Sequence, residues 1–426
     1  MVATTTNSSL GELILHHRKQ AEMTLVQLEK LTKVDKASLS RIESGQIKRP
    51  SLEKLMKIGV ILNIPDEEII DRYIQVEERQ NILVSILHKL IKDNHLPLIN
   101  KAAMKVLKST EEDSEELVKM LYEMTETIKE PSVKLSLYEL IISYSRAHGI
   151  MPYIAMGLLQ VYLIERDDFT KLRATYESGK SVLFFANSLT SEERGVLYYK
   201  LAVHAYNLCL FQESVEMGEK ALGETISDTK MHANTIFALC NSCYHLGEYE
   251  QTKEYLIQYK VFPLPRVKDN TKGIEAALHL ANGNHQIAIS IMQDTISNCG
   301  DFALLHVVNL LITLYFETNN QAEIEKLFRL EEKLLLITYV TPFKKAEMAH
   351  YFKLKGDYFI LIEDIRQGVN CYLEAATRYA KVDLIAKESE CLRLVMNIHT
   401  LNKEAIDVST FEKLEIYYDN KTKTSN

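Results

Sequence analysis

The chain after residue 73 carries a helical pattern of apolar residues with few interruptions, and this pattern limits the folds open to it. The interruptions, each containing Gly or Pro, fall at 94–97, 130–131, 149–152, 223–227, 262–265 and 341–342. The 426 residues include only 15 Gly and 8 Pro, and scarcity of both punctuating residues favours long helices over a turn-rich β protein. We therefore predict an all-α fold.

Four segments of this region share a pattern of two helices joined by a short turn, recurring over roughly 34–38 residues. They are 196–222, 234–259, 273–296 and 350–376. The pattern, with small residues in the first helix and Ala in the second, resembles the tetratricopeptide repeat (TPR). A single helix pair of this kind cannot bury its own apolar face, whereas stacked pairs share a continuous core and leave a concave groove. The expected architecture is a TPR-like α-solenoid.

The repeat register implied by this resemblance predicts which side chains face the groove. The candidate peptide-binding residues are Tyr199, Asn207, Asn234, Phe237, Asn241, His306, Asn309, His350 and Lys353. Asparagine amides can donate to and accept from an extended peptide backbone. His350 and Lys353 could pair with a carboxylate or a peptide C-terminus. The alternative is that isolated asparagines on helix surfaces are merely solvated.

The N-terminal stretch, residues 10–72, divides into five short predicted helices. They span 10–20, 25–31 and 36–43, then one opening at Pro50-Ser51 and ending near 62, and one opening at Pro65-Asp66. Thr24 and Asp35 are suitable N-caps for the second and third helices. Ser44-Gly45 is a usual helix end. This part of the chain is therefore expected to form a compact helical head.

The third helix of the head has the residues that a DNA-reading helix needs. Ala37, Leu39 and Ile42 are predicted to face inward, with small or basic residues facing outward. The candidate DNA-binding residues are Lys36, Ala37, Ser38, Ser40, Arg41, Lys48, Arg49 and Gln27. A helix of this kind can lie in the major groove. Arg41 can then pair with guanine, while the loop residues Lys48 and Arg49 can contact phosphates.

The head resembles the XRE, or Cro/C1, class of helix-turn-helix domain. The resemblance rests on Met-Thr at 23–24, VDKASLSRIESG at 34–45, KRPSL at 48–52 and L-x-K-I at 55–58. It implies a buried ion pair between Arg18 and Glu43 that orients the recognition helix. One departure is Leu25, where the class usually has Gln, with Gln27 two places on. The alternative is a degenerate fold kept only for protein contacts.

The combined layout resembles the peptide-pheromone receptors of Gram-positive bacteria, the RRNPP group of Rap, NprR, PlcR, PrgX and Rgg, and the related phage arbitrium receptors. The predicted division is a DNA-binding domain at 1–72, a linker with connecting helices at 73–110, and a ligand-binding and dimerisation domain at 111–426. The resemblance implies a homodimeric transcriptional regulator that binds a DNA operator and is controlled by a short signalling peptide.

Charge and motif content agree with a regulator rather than an enzyme. Residues 1–64 contain ten Lys or Arg and six Asp or Glu, a net charge of +4, which leaves −12 for the rest of a chain whose total is −8. A basic N-terminal part followed by an acidic remainder indicates that a polyanion binds to the N-terminal part and not to the rest of the chain. No phosphate-binding loop or nucleophile elbow is present, and Cys240-x-x-Cys243 has no second ligand pair at metal spacing.

These patterns predict no catalytic residues, no metal and no cofactor. They also predict a cytoplasmic location, because no signal peptide, membrane span or disulfide framework is apparent. Two other functions stay open. The repeats could instead capture a response regulator or another protein, or the chain could be an antitoxin or a phage or plasmid repressor whose repeats only oligomerise.

Overall fold

The computed structural model describes residues 9–402 and 408–424, and these residues form helices and turns without a strand. The chain divides into two compact units, Met1–Ile164 and Glu165–Asn426. No helix among the residues described is both long and apolar enough to cross a lipid bilayer. The predicted all-α class is confirmed.

The first unit contains ten helices within its described residues, the last of which extends one residue into the second unit. They are α1 (Leu10–Gln20), α2 (Leu25–Thr32), α3 (Lys36–Glu43), α4 (Leu52–Leu62), α5 (Asp66–Val76), α6 (Gln80–Lys92), α7 (Leu96–Leu107), α8 (Ser114–Glu126), α9 (Pro131–His148) and α10 (Met151–Glu165). The Thr24 hydroxyl accepts from the Gln27 backbone N–H, and the Asp35 carboxylate accepts from that of Ser38. These side chains satisfy amides that the first turn of a helix leaves unpaired.

A single apolar cluster extends through the first unit from Leu10 to Ile150. Leu28, Leu39 and Leu55 of the head are fully buried, and the same cluster continues through the helices that follow the head. The packing of this unit is continuous across residues 72 and 110. The predicted functional boundaries at these two positions therefore remain a prediction.

The second unit is a succession of helix pairs. Its helices are α11 (Leu172–Ser181), α12 (Ser191–Asn207), α13 (Phe211–Leu222), α14 (Thr229–Leu246), α15 (Tyr249–Tyr259), α16 (Pro265–Ala281), α17 (His285–Asn298), α18 (Asp301–Glu317), α19 (Gln321–Phe328), α20 (Glu331–Leu336), α21 (Pro342–Leu361), α22 (Ile365–Ala380), α23 (Ile385–Asn402) and α24 (Val408–Thr424). The 3₁₀ segments Phe169–Lys171 and Val182–Ser188 flank α11.

The four predicted repeats coincide with α12/α13, α14/α15, α16/α17 and α21/α22, and each of these pairs packs together. Gly247 and Gly283 end α14 and α16 in the left-handed conformation, with φ of 79° and 75°, which glycine adopts without steric cost. Gly356 lets α21 approach α22, because a Cβ there would lie 2.7 Å from the Tyr372 ring. The repeat pattern thus produces the pairing that the sequence predicts.

Candidate functional site

The recognition helix of the head, α3, buries one face and exposes the other. Leu39 and Ile42 are buried, whereas Lys36, Ala37 and Arg41 are exposed. The expectation that Ala37 faces inward is wrong. Ala37 precedes Leu39 by two residues and so lies about 200° around a helix of 3.6 residues per turn. It shares the outward face with Arg41, one turn later.

Some of the candidate DNA-binding side chains already make hydrogen bonds or ion pairs within the protein, and others do not. Arg41 is exposed and its Nε donates to the Ala37 carbonyl oxygen at 3.2 Å, while Ser38 is half-buried and Ser40 and Lys48 are exposed. Arg49 forms an ion pair with Glu78. The Gln27 amide oxygen accepts from the Thr24 backbone N–H at 2.8 Å. Gln27 therefore caps α2. Arg49 would have to leave the carboxylate of Glu78 in order to bind a phosphate of DNA.

An ion pair ties α3 to α1. Arg18 Nε lies 2.6 Å from Glu43 Oε1 and Arg18 Nη2 lies 2.8 Å from Glu43 Oε2. Arg18 Nη1 also donates to the Met23 carbonyl oxygen at 2.7 Å. Both side chains are largely buried, with 14% and 7% exposed. A bidentate pair has a defined geometry, so these bonds hold the end of α3 in a set orientation.

Two neighbouring cavities lie on the side of the second unit formed by the first helices of successive pairs. The larger has a volume of about 360 Å³ and is lined in part by Asn207, Asn241, His306, Asn309 and His350. The smaller, of about 290 Å³, is lined in part by Tyr199, Asn207, Asn234 and Phe237. We call them the large cavity and the small cavity, and together the groove. Eight of the nine candidate peptide-binding residues thus line the groove.

Lys353 is the exception, since it lines neither cavity. Its ammonium lies 2.9 Å from the Asp357 carboxylate, one turn along α21. The two side chains lie on the same face of the helix and satisfy each other. The carboxylate contact expected from Lys353 is therefore made within the protein.

Tyr206 and Phe343 line both cavities, although neither was predicted from the sequence as a groove residue. Their ring centroids lie 5.4 Å apart, so the two rings stand where the cavities meet. Phe343 follows Pro342 at the start of α21. No local signal in the sequence identifies it, because its neighbour Tyr206 is more than a hundred residues away.

Three of the groove asparagines donate hydrogen bonds from their amide nitrogens to other groups of the protein. Asn241 Nδ2 donates to the Phe237 carbonyl oxygen at 2.8 Å, and Asn234 Nδ2 donates to the Tyr199 hydroxyl at 3.2 Å. Asn309 Nδ2 donates to the Glu347 carbonyl oxygen at 2.9 Å. The Asn309 amide oxygen is buried and has no hydrogen-bond partner among the described residues. Buried polar atoms without a partner are rare in folded proteins.

Charge in the large cavity is balanced locally. Burial raises the pKa of Glu347, but Lys344 and His306 outweigh it and bring that pKa to about 2. Burial, reinforced by Lys387, lowers the pKa of both His245 and His350 to about 4. Both imidazoles are neutral at pH 7, so His350 does not supply a cation for a carboxylate.

The cysteine pair of α14 packs in the interior. The Cys240 thiol donates to the Thr252 carbonyl oxygen at 3.3 Å. Burial raises the pKa of Cys240 and of Cys243 to about 12. Both groups therefore remain protonated thiols at neutral pH, the form that packs as a small apolar side chain.

Comparison with known proteins gives a family assignment for the head. Residues 16–69 match the helix-turn-helix family model HTH_3, a range that includes the end of α1, all of α2 to α4 and the start of α5. The N-terminal part of the chain is therefore a helix-turn-helix domain. No curated protein matches the chain in sequence.

Several solved structures match most of the chain at low sequence identity. A Rap protein complexed with competence and sporulation factor is 11% identical with a TM-score of 0.41, covering 79% of this chain and 100% of that one. A structure of phAimR is 14% identical with a TM-score of 0.40, covering 91% and 100%. Bacillus thuringiensis PlcR in complex with the peptide PapR7 and DNA is 14% identical with a TM-score of 0.28, covering 90% and 99%.

Proposed function

We propose that this protein is a sequence-specific DNA-binding transcriptional regulator whose activity is controlled by a short signalling peptide bound in the groove. In this proposal it is a homodimeric quorum-sensing receptor that works in the cytoplasm by binding rather than by catalysis. The observation that carries the peptide assignment is the buried amide oxygen of Asn309, which has no hydrogen-bond partner among the residues described, in a groove lined by further asparagines.

The head supports the DNA-binding half of the proposal. Its match to a helix-turn-helix family covers residues 16–69, and α3 presents Lys36, Ser40 and Arg41 on an exposed face. In such domains the recognition helix lies in the major groove, and a dimer reads half-sites about 10–10.5 base pairs apart or multiples of that spacing. We propose that Arg41 reads a base and that Lys48 contacts phosphate.

The groove supports the peptide-binding half. Ligand cavities commonly measure about 300–1,000 Å³, and the large and small cavities, of about 360 and 290 Å³, are of the size that two short stretches of peptide fill. The amide nitrogens of Asn234, Asn241 and Asn309 are engaged by the protein. Their oxygens are then acceptors for the backbone N–H groups of an extended peptide.

Control of DNA binding follows from differential affinity. A peptide shifts an equilibrium between two arrangements of the dimer only to the extent that it binds one of them more tightly. A tenfold change in operator affinity requires a difference of about 1.4 kcal/mol between the two arrangements. Such a difference is within reach of one or two hydrogen bonds to a ligand backbone.

The peptide assignment is tested by thermal shift with synthetic peptides from the C-termini of short open reading frames beside the gene. We expect a saturable rise in melting temperature with one peptide and its loss in Asn309→Ala and Asn241→Ala. Asn298→Ala is the matched control, because Asn298 donates to the Asp294 carbonyl oxygen one turn back, as Asn241 does to Phe237, but lies on an exposed surface. Equal loss in the control would contradict a role for the groove asparagines.

The DNA assignment is tested separately by gel shift with the protein's own promoter at physiological salt. A specific shift together with no response to any peptide would leave a repressor whose repeats serve oligomerisation. Peptide binding without any specific shift would favour capture of another protein by the repeats. The two measurements therefore distinguish the proposed receptor from both alternatives.

A further inference from the structure

The small cavity contains two arginines that the repeat register does not assign to the groove. Arg166 and Arg266 both line it, together with Asn234 and Phe237. Arg166 Nε is buried and has no hydrogen-bond partner among the described residues. The Arg266 guanidinium carbon lies 5.9 Å from the centre of the Phe302 ring. Within the described part of the chain, neither guanidinium has a carboxylate within ion-pair distance.

Two other arginines of this unit form ion pairs within the protein. Arg194 binds Glu224 through two nitrogens, at 2.6 and 2.9 Å, and Arg378 lies 2.6 Å from Glu374. A buried donor without an acceptor costs free energy because it has lost its water without a replacement. Among the described residues, Arg166 therefore lacks a carboxylate acceptor of the kind that Arg194 and Arg378 have.

A second cation lies near Arg166. Lys200 is half-buried, and burial together with Arg166 lowers its pKa. Burial and Arg166 also lower the pKa of His204, to about 4, so this imidazole is neutral at pH 7. The carboxylate in the cavity lining is Asp167, which is exposed. Two neighbouring cations attract an anionic group from the ligand.

We propose that Arg166 and Arg266 form a carboxylate-binding subsite at one end of the groove, so that the peptide ligand places its C-terminal carboxylate or an acidic side chain in the small cavity. This inference rests on the proposed function and specifies the chemistry and direction of the ligand. A guanidinium presents paired N–H groups that match the two oxygens of a carboxylate. Arg166 Nε then acquires the acceptor that it lacks.

At the other end of the groove, Lys387 is the basic side chain that the structure describes in the lining of the large cavity. Its ammonium lies 5.7 Å from the centre of the Tyr379 ring, and the nearby acid Glu347 is already paired with Lys344 and His306. An ammonium binds as a point charge without the paired geometry of a guanidinium. The buried, unpartnered nitrogen places the carboxylate at the arginine end.

The test uses the full-length protein and two pools of random hexapeptides, one with free C-termini and one with C-terminal amides, read by affinity selection and mass spectrometry. Selected peptides are resynthesised with each Asp or Glu replaced by Asn or Gln. The protein variants are Arg166→Gln, Arg266→Gln and Lys387→Gln, with Arg329→Gln as the control because Arg329 is exposed and outside both cavities. A parallel thermal-shift titration with sodium sulfate at constant ionic strength probes the anion site without a peptide.

We expect removal of one carboxylate from a selected peptide to weaken binding by about tenfold or more, and we expect Arg166→Gln and Arg266→Gln to abolish that difference. A loss on C-terminal amidation identifies the C-terminus, and a loss on Asp or Glu replacement identifies a side chain. Sulfate should stabilise the wild type and the Arg329→Gln control but neither groove-arginine variant.

Peptides that bind equally well with and without carboxylates would overturn the subsite while leaving the proposed peptide receptor intact. So would a carboxylate preference that disappears in Lys387→Gln alone. If neither pool yields a binder, the peptide receptor fails, and the sulfate titration decides the subsite by itself. A sulfate response that is absent, or that persists in both groove-arginine variants, then overturns it.

Discussion

The rings of Tyr206 and Phe343 lie 5.4 Å apart between centroids and line both the large cavity and the small one. Tyr206 comes from the end of α12 and Phe343 from the start of α21. A peptide that occupied both cavities would contact these rings.

Replacing Phe343 by Ala should weaken binding of the selected peptide by about two- to tenfold, because an aromatic contact contributes about 0.5–1.5 kcal/mol beyond its buried area. Calorimetric titration measures the change. Phe184→Ala is the control, since Phe184 is 87% exposed and lines neither cavity. Unchanged or tighter binding by Phe343→Ala would show that the ligand does not contact this ring.

Glu43→Gln should destabilise the head by about 1–3 kcal/mol, because it leaves the largely buried Arg18 guanidinium without its charged acceptor. Chemical denaturation of the full chain, followed with a probe placed in the head, measures the loss. The matched control is Glu53→Gln, which breaks the exposed pair with Lys57 and should leave the stability nearly unchanged, because exposed ion pairs contribute little. Equal losses would mean that the buried pair has no special role in holding α3.

Arg41→Ala and Lys48→Ala should weaken DNA binding in different ways. Loss of a base contact from Arg41 should reduce discrimination between operator and random DNA by about 1–3 kcal/mol. Loss of Lys48 should weaken both DNAs alike and reduce the slope of log affinity against log salt by about 0.9. Fluorescence anisotropy over a range of salt concentrations separates the two. Intact discrimination in Arg41→Ala would contradict the proposed docking of α3.

Glu77 should make the first unit sensitive to acid. Its side chain is fully buried, accepts from the Tyr73 hydroxyl at 2.7 Å and lies 2.6 Å from Arg79 Nη2. Burial raises the pKa of this carboxyl, but the bonds from Arg79 and Tyr73 outweigh that effect and lower the pKa to about 2. A carboxyl whose pKa is lower in the folded state than in the unfolded state stabilises the fold above its unfolded pKa, of about 4.3, and loses that contribution as the pH falls towards 2.

Glu77→Gln should therefore be less stable than the wild type at pH 7 and should lose less stability between pH 5 and pH 3. Melting temperatures across this range provide the measurement. Glu139→Gln, at an exposed position of α9, should retain the wild-type pH dependence. A wild-type slope in Glu77→Gln would mean that other carboxyls account for the acid response.

The head was predictable in detail because its signals are local. Thr24 and Asp35 cap the helices that they precede, and α1 and α3 have the predicted bounds. The facing of Ala37 was not predicted correctly. Alanine is tolerated on either face of a helix, so the residue type does not predict whether Ala37 is buried or exposed. Its angular separation from the buried residues Leu39 and Ile42 does predict this.

The sequence by itself determined the helical class, the paired repeats and most of the groove lining, because apolar periodicity and turn residues act over a few residues at a time. Only the tertiary structure decided which polar groups are free. Among the described residues, Asn309 retains an oxygen and Arg166 a nitrogen that have no hydrogen-bond partner. Hydrogen bonds and burial depend on helices that are distant in the chain and adjacent in space, as the contact between Tyr206 and Phe343 shows, and no local pattern records such neighbours.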